Sequence, residues 1–149
     1  MTQTAFNKQS FKNLRFSPSN SNVDVPKTAL IAKARKVERR SETEKDEKGN
    51  PKKIQDSCAK IILEAIDAQT ARVLIENNIS IDNIETFNIE LEEDESFMIE
   101  LDVDKLANQE IDLTKAMLAP LWVSKGYSGS YSSLKLVIDK LKFVDEVQK

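Results

Sequence analysis

From Leu134 the apolar residues fall on alternate positions, Leu134, Leu136 and Ile138, and then, one step out of phase, on Leu141 and Phe143. A period of two puts each set on one face of a strand. The change of phase at Asp139-Lys140 is what one extra residue, a β-bulge, produces, and bulges let a small sheet curl. The preceding residues, Lys125 to Ser133, read as a loop. They hold Gly126 and Gly129, two of the three glycines, together with Lys125, Tyr127 and Tyr131, and Trp122 stands at the base. A flexible loop with stacking surfaces and a cation, pinned to a curled strand, suits binding better than catalysis. A surface hairpin whose tyrosines cover the core edge has the same pattern.

At 149 residues the chain is long enough for one domain with a proper core, plus a tail. Its longest apolar run, Ala116 to Val123, is interrupted by Pro120 and is far short of the roughly 18 residues of a membrane span. The opening Met-Thr-Gln-Thr-Ala-Phe-Asn-Lys has no apolar stretch of the signal-peptide kind. Cys58 is the single cysteine, which excludes an internal disulfide and fits a reducing compartment. The expectation is a cytoplasmic protein without a membrane partner.

The net charge of −3 hides an uneven distribution. Residues 1–53 carry 13 Lys and Arg against 6 Asp and Glu; residues 54–112 carry 3 against 16; residues 113–149 carry 6 against 3. Such asymmetry accompanies a polyanion-binding face set against an acidic one. A dipolar, merely solvated surface would look the same.

Residues 1–22 read as a flexible N-terminal arm with a docking segment, and 23–149 as the folded domain. The arm carries Phe6, Phe11 and Phe16, five residues apart, which is neither a strand nor a helix period. Phe11 to Phe16 is expected to dock as a short extended piece, and exposed Phe6 and Phe11 would also serve self-association into an oligomer. Segment 28–40 is helical by propensity. As a strand it puts Ile31, Lys33, Arg35, Val37 and Arg39 on one side and Leu30, Ala32 and Ala34 on the other. Ser41 to Lys53 is a charged connection ending in the turn signal Gly49-Asn50-Pro51. Segments 57–67 and 70–76, broken at Asp67-Ala-Gln, read as two strands by their β-branched residues or as one long helix. Alternation at Ile79/Ile81, at Phe87/Ile89/Leu91 and at Phe97/Ile99/Leu101/Val103 predicts further strands, with Glu92 to Ser96 as a turn. Asp104 is placed to cap a helical turn through Gln109, and Asp112 another to Leu118, stopped by Pro120.

The chemical inventory narrows the function. With no histidine, His-dependent triads and His metal sites are excluded. One cysteine builds no structural zinc site, and three glycines form no phosphate-binding loop. The acids between Glu90 and Asp104 match no calcium loop. No cofactor, no metal and no enzymatic activity are expected.

Binding remains. Single-stranded nucleic acid requires cations for its backbone and aromatic faces for its bases. The chain offers Lys33, Arg35, Lys36, Arg39, Arg40, Lys52 and Lys53 early, and Lys125, Tyr127 and Tyr131 late. A small Greek-key barrel binds its ligand with the loops after its first and fourth strands. Here those are Ser41–Gln55 and Lys125–Ser133. The predicted fold is mainly β, an OB-fold: a five-stranded Greek-key barrel with short helices and an extended N-terminal arm.

The segments Phe-Lys-Asn-Leu-Arg-Phe (11–16), Lys-Thr-Ala-Leu-Ile-Ala-Lys-Ala-Arg (27–35) and Leu-Lys-Leu-Val-Ile-Asp-Lys-Leu-Lys-Phe-Val (134–144) give the chain a family likeness. Over roughly residues 11–145 it resembles the PrgE type of small OB-fold protein from Gram-positive conjugative plasmids. The resemblance implies binding of single-stranded DNA, largely independent of sequence, during plasmid transfer and without catalysis. It also tips 28–40 and 57–76 towards strands. The alternative is a non-enzymatic protein-interaction or scaffold subunit that uses its acidic middle segment.

Overall fold

The structure, a computed structural model, describes residues 14–18, 24–125 and 128–144; of Asn83, Trp122, Ser124, Lys125, Ser130, Tyr131 and Ser132 it describes the backbone alone. The chain is mainly β. Eight strands follow in order: β1 (Thr28–Val37), β2 (Arg40–Lys45), β3 (Pro51–Lys53), β4 (Lys60–Asp67), β5 (Phe87–Leu91), β6 (Glu110–Asp112), β7 (Met117–Lys125) and β8 (Ser128–Ile138). Helix α1 (Ala68–Glu76) separates β4 from β5, and α2 (Glu95–Glu100) follows β5. Six strands form one sheet in the order β6-β1-β4-β5-β8-β7, while β2 and β3 make a separate ribbon. All neighbours in the sheet are antiparallel except β5 and β8.

The sheet's inner face holds the core. Ala29, Ile31, Ile61, Leu63, Ala65, Ile89, Leu91, Leu118, Leu136 and Ile138 meet there, with Met98 of α2 and Leu106 beneath them. The chain beyond β8 reaches the far edge of this sheet. The Asp112 N–H donates to the Lys142 carbonyl at 2.8 Å, and Phe143 bridges Ile111 on β6. At the other edge Phe16 forms an antiparallel bridge to Leu118, with N–H···O distances of 3.0 and 2.8 Å. Of the segment 11–16 expected to dock, Phe16 lies on this edge, while Phe6 and Phe11 are outside the described residues.

Segment 28–40 is a strand as far as Val37, but its faces differ from a simple alternation. The pairing register with β4 shifts between Ile31 and Lys33, so one residue is spent in a bulge. Ile31 is thereby buried while Lys33 and Arg35 stay exposed, and Ala34 packs against the core.

Segment 57–76 splits into a strand and a helix. Asp67 ends β4 and caps α1: its Oδ2 accepts from the Thr70 N–H at 3.2 Å and from the Thr70 hydroxyl at 2.9 Å. The helix packs Ala71 against Leu30 and Ile66 on the outer face of the sheet and buries Ala68, leaving Val73 and Ile75 exposed. It stops where Asn78 takes a left-handed φ of 58°. There the Ile79 N–H reaches the Leu74 carbonyl and the Asn78 N–H that of Ile75, a Schellman end.

Four other expectations are corrected. Residues 97–103 are no strand: α2 buries Met98 between an exposed Phe97 and Ile99, and a 3₁₀ turn follows at Val103–Leu106, capped by Asp102 rather than Asp104. Ile79 and Ile81 belong to no strand, since Ile81–Asn83 is a 3₁₀ turn capped by Ser80. Asp112 opens no helix; its Oδ1 accepts from the Thr114 N–H at 2.7 Å and hydroxyl at 2.6 Å, a turn that feeds β7. Pro120 lies inside β7, tolerable at the sheet's edge, where few of the strand's outward N–H groups have a ladder partner. The fourth concerns the end of the chain. The expected loop 125–133 belongs almost entirely to a hairpin, for β7 and β8 pair from Met117↔Val137 to Lys125↔Ser128. Its bulge falls at Leu121/Trp122, and Asp139-Lys140 lies beyond the end of β8.

Candidate nucleic-acid interface

The cross-strand register assembles the outer face of the sheet. One row runs Arg35, Ile62, Glu90, Val137 across β1, β4, β5 and β8. The neighbouring row runs Lys33, Glu64, Asn88. Lys60 lies two residues from Ile62 along β4 and Lys135 two from Val137 along β8, which places both on this face. At the centre Glu90 is only 7% exposed. A carboxylate so far out of water is costly unless paired. Its Oε1 accepts a hydrogen bond from Lys135 Nζ at 3.0 Å and forms an ion pair with Lys60 Nζ at 3.2 Å. Over β1, β4, β5 and β8 the face thus carries four cations to two carboxylates; Glu110 and Asp112 of β6 add two acids beyond β1, and α1 roofs one end, its Arg72 paired with Glu110 at 2.8 Å.

The cations expected from sequence separate into three groups. Lys33 and Arg35 are exposed on β1, and no hydrogen bond or ion pair ties them among the described residues. Lys36 and Arg39 hold α2 instead. Lys36 Nζ donates to the Ile99 carbonyl at 2.6 Å, and Arg39 Nε to Glu95 Oε2 at 3.0 Å. The same Glu95 oxygen accepts the Cys58 N–H at 2.9 Å. That backbone bond first, and then the Arg39 guanidinium, holds the Glu95 carboxyl below its ordinary value. Cys58 itself is buried, and burial pushes its thiol up, away from the reactive thiolate.

The third group lies on the β2–β3 ribbon, which occupies the expected loop 41–55. Arg40 pairs across from Lys53 and donates to the Pro51 carbonyl at 3.1 Å; Lys53 is 3.9 Å from Glu38. Lys52 is exposed, without a hydrogen bond or ion pair among the described residues. The ribbon turns at Asp46, whose Oδ1 accepts from the Lys48 and Asn50 N–H groups, and at Gly49, whose φ of 82° favours glycine. Lys125 and Tyr131 sit in the hairpin backbone, opposite Ser128 and Trp122 respectively. Tyr127 lies outside the described residues.

Sequence reasoning missed Lys60, Lys135 and Glu90. The signal for Lys135 was present, since it is the polar position between Leu134 and Leu136 in the strongest alternation of the chain. That of Glu90, between Ile89 and Leu91, predicts an outward acid, but only the fold brings two lysines onto it.

Beside the triad is a cleft of about 500 Å³. β5 and β8 pair only from Ile89↔Leu136 to Leu91↔Ile138. Ahead of that pairing Phe87-Asn88 and Leu134-Lys135 form facing walls, closed by Asp24, Val25, Pro26 and Leu121. Among the described residues no group of three acid or cysteine side chains gathers as a metal site, and no helix is long and apolar enough to cross a membrane. No protein-family model matches the sequence, and comparisons with curated proteins and with solved structures give no match.

Proposed function

We propose that this chain is an OB-fold module that binds single-stranded DNA, largely independently of sequence and without catalysis, in the transfer of plasmid DNA. The observation that carries the reading is the strand order. With the three-residue edge strand β6 set aside and β1, β4, β5, β7 and β8 counted as strands one to five, the six-stranded sheet runs one-two-three-five-four beside it, with three and five as the single parallel pair. Such an order supports an OB-fold reading, in which the oligonucleotide face is formed by strands two and three and by the loops after strands one and four. Here strands two and three carry Lys60 and Glu90, flanked by Lys33, Arg35 and Lys135. The loop after strand one is the ribbon with Arg40, Lys52 and Lys53. The bonds from Lys142 to β6 and from Phe16 to β7 support a curled, nearly closed sheet. The plasmid-transfer setting and the exclusion of catalysis rest on the family resemblance and on the chain's lack of histidine.

A second reading, a protein-interaction or scaffold subunit, draws on α1 in the acidic middle of the chain, where Val73 and Ile75 are 53% and 59% exposed. Fluorescence anisotropy with labelled oligothymidylate separates the two. The single-strand reading expects binding whose log–log salt dependence has a slope of about −0.7 for each phosphate neutralised. Absence of binding at low salt, with the protein folded, would leave only the interaction surface.

A further inference from the structure

We infer that the cleft between β5 and β8 receives one unstacked nucleobase, with the adjoining phosphate on Lys135; this rests on the single-strand-binding reading above. The walls are of two kinds. Phe87, Leu121 and Leu134 offer apolar faces, and Leu134 is left 44% exposed on the wall, apolar surface that a flat base would cover. Every base has a π-face, so such contact carries no sequence requirement. Asn88 is exposed at the mouth, with an amide that both donates and accepts and so tolerates different base edges.

The charges orient the occupant. Lys135 stands at the rim on the side of the outer face, held to Glu90 with Lys60 on the same oxygen. Asp24, from the segment ahead of β1, also lines the cleft. A phosphate is attracted to Lys135 and repelled by Asp24. A nucleotide therefore enters base first from the basic face, continuous with the path over Lys33 and Arg35. An aromatic side chain of a protein would satisfy the apolar walls but not the lysine pair.

The test is photo-crosslinking of wild-type protein to oligothymidylate carrying 4-thiothymine, followed by peptide mapping. Crosslinks to Phe87 or Leu134 are expected; crosslinks confined to other segments overturn the inference. In parallel, Leu134→Trp, which fills the cleft, should weaken binding of oligothymidylate about tenfold. It should leave unchanged both the salt slope and the binding of an abasic strand of equal length. A folded Leu134→Trp that binds oligothymidylate like wild type overturns the inference while the wider reading stands. If that variant instead loses a concentration-dependent dimer in sedimentation and keeps DNA binding, the cleft belongs to a second copy of the chain. Wild-type protein that binds no oligonucleotide overturns both.

Discussion

Arg35 and Arg39 are four residues apart in one basic stretch, and the fold gives them opposite tasks. Arg35 falls on the outer face of β1 with no partner among the described residues, whereas Arg39 lies past the end of the strand and closes on Glu95. Glu95 is more acidic folded than unfolded, because the Cys58 N–H and Arg39 bond its charged form. The folded state therefore prefers it deprotonated. Its contribution to stability is complete above the ordinary value of 4.5 and is lost as pH falls through the lowered folded value. Melting temperatures taken across that acidic window should fall more steeply in wild type than in Glu95→Gln, and the two curves should converge at the acid end. Parallel curves would show that the bond between Glu95 and Cys58 does not govern the docking of α2. None of this division was legible in the sequence, where Lys36, Arg39 and Arg35 differ only by position.

At the scale of elements, pattern reading succeeded where a face is buried over a whole strand. β5 and the second half of β8 follow from alternation, and the β-branched residues of β4 lean to a strand with a helix left open, whereas β1 is helical by propensity and only the family resemblance tips it to a strand. Pattern reading failed over shorter alternations. Phe97, Ile99 and Leu101 alternate, yet the residue α2 buries is Met98 between them. In α1 the β-branched Val73 and Ile75 suggested a strand, but they face outward, and the two alanines are buried, Ala71 against the sheet. The deciding signal was the cap, Asp67 three residues before Thr70. Substituting Asp67→Ala should cost about 1 kcal/mol in chemical denaturation, the usual loss for a helix N-cap. An unchanged midpoint would mean that packing on Leu30 and Ile66 alone fixes where the helix starts. The hairpin was hidden for another reason: glycine and serine in 126–133 resemble a loop, and only pairing with β7 makes them a strand.

At the scale of the molecule, the chain brings residues from four strands onto one basic face. Strand order was partly legible, since the first and last strongly patterned segments lie in the sheet with a charged excursion after the first. The parallel pairing of β5 with β8 was not, because it depends on the path of the chain through α2 and β6. That pairing brings Glu90 to Lys135 and opens the cleft. We propose that this outer face, rather than the whole basic stretch, meets the nucleic acid. The most direct test is the salt dependence of oligothymidylate binding in two double variants, Lys33→Ala/Arg35→Ala and Lys36→Ala/Arg39→Ala, with melting temperatures alongside. The first pair should bind more weakly, with a slope flatter by about 0.7 for each phosphate no longer neutralised and an unaltered melting temperature. The second should melt lower and keep its slope. Loss of binding in the second pair, with the first indistinguishable from wild type, would contradict the account.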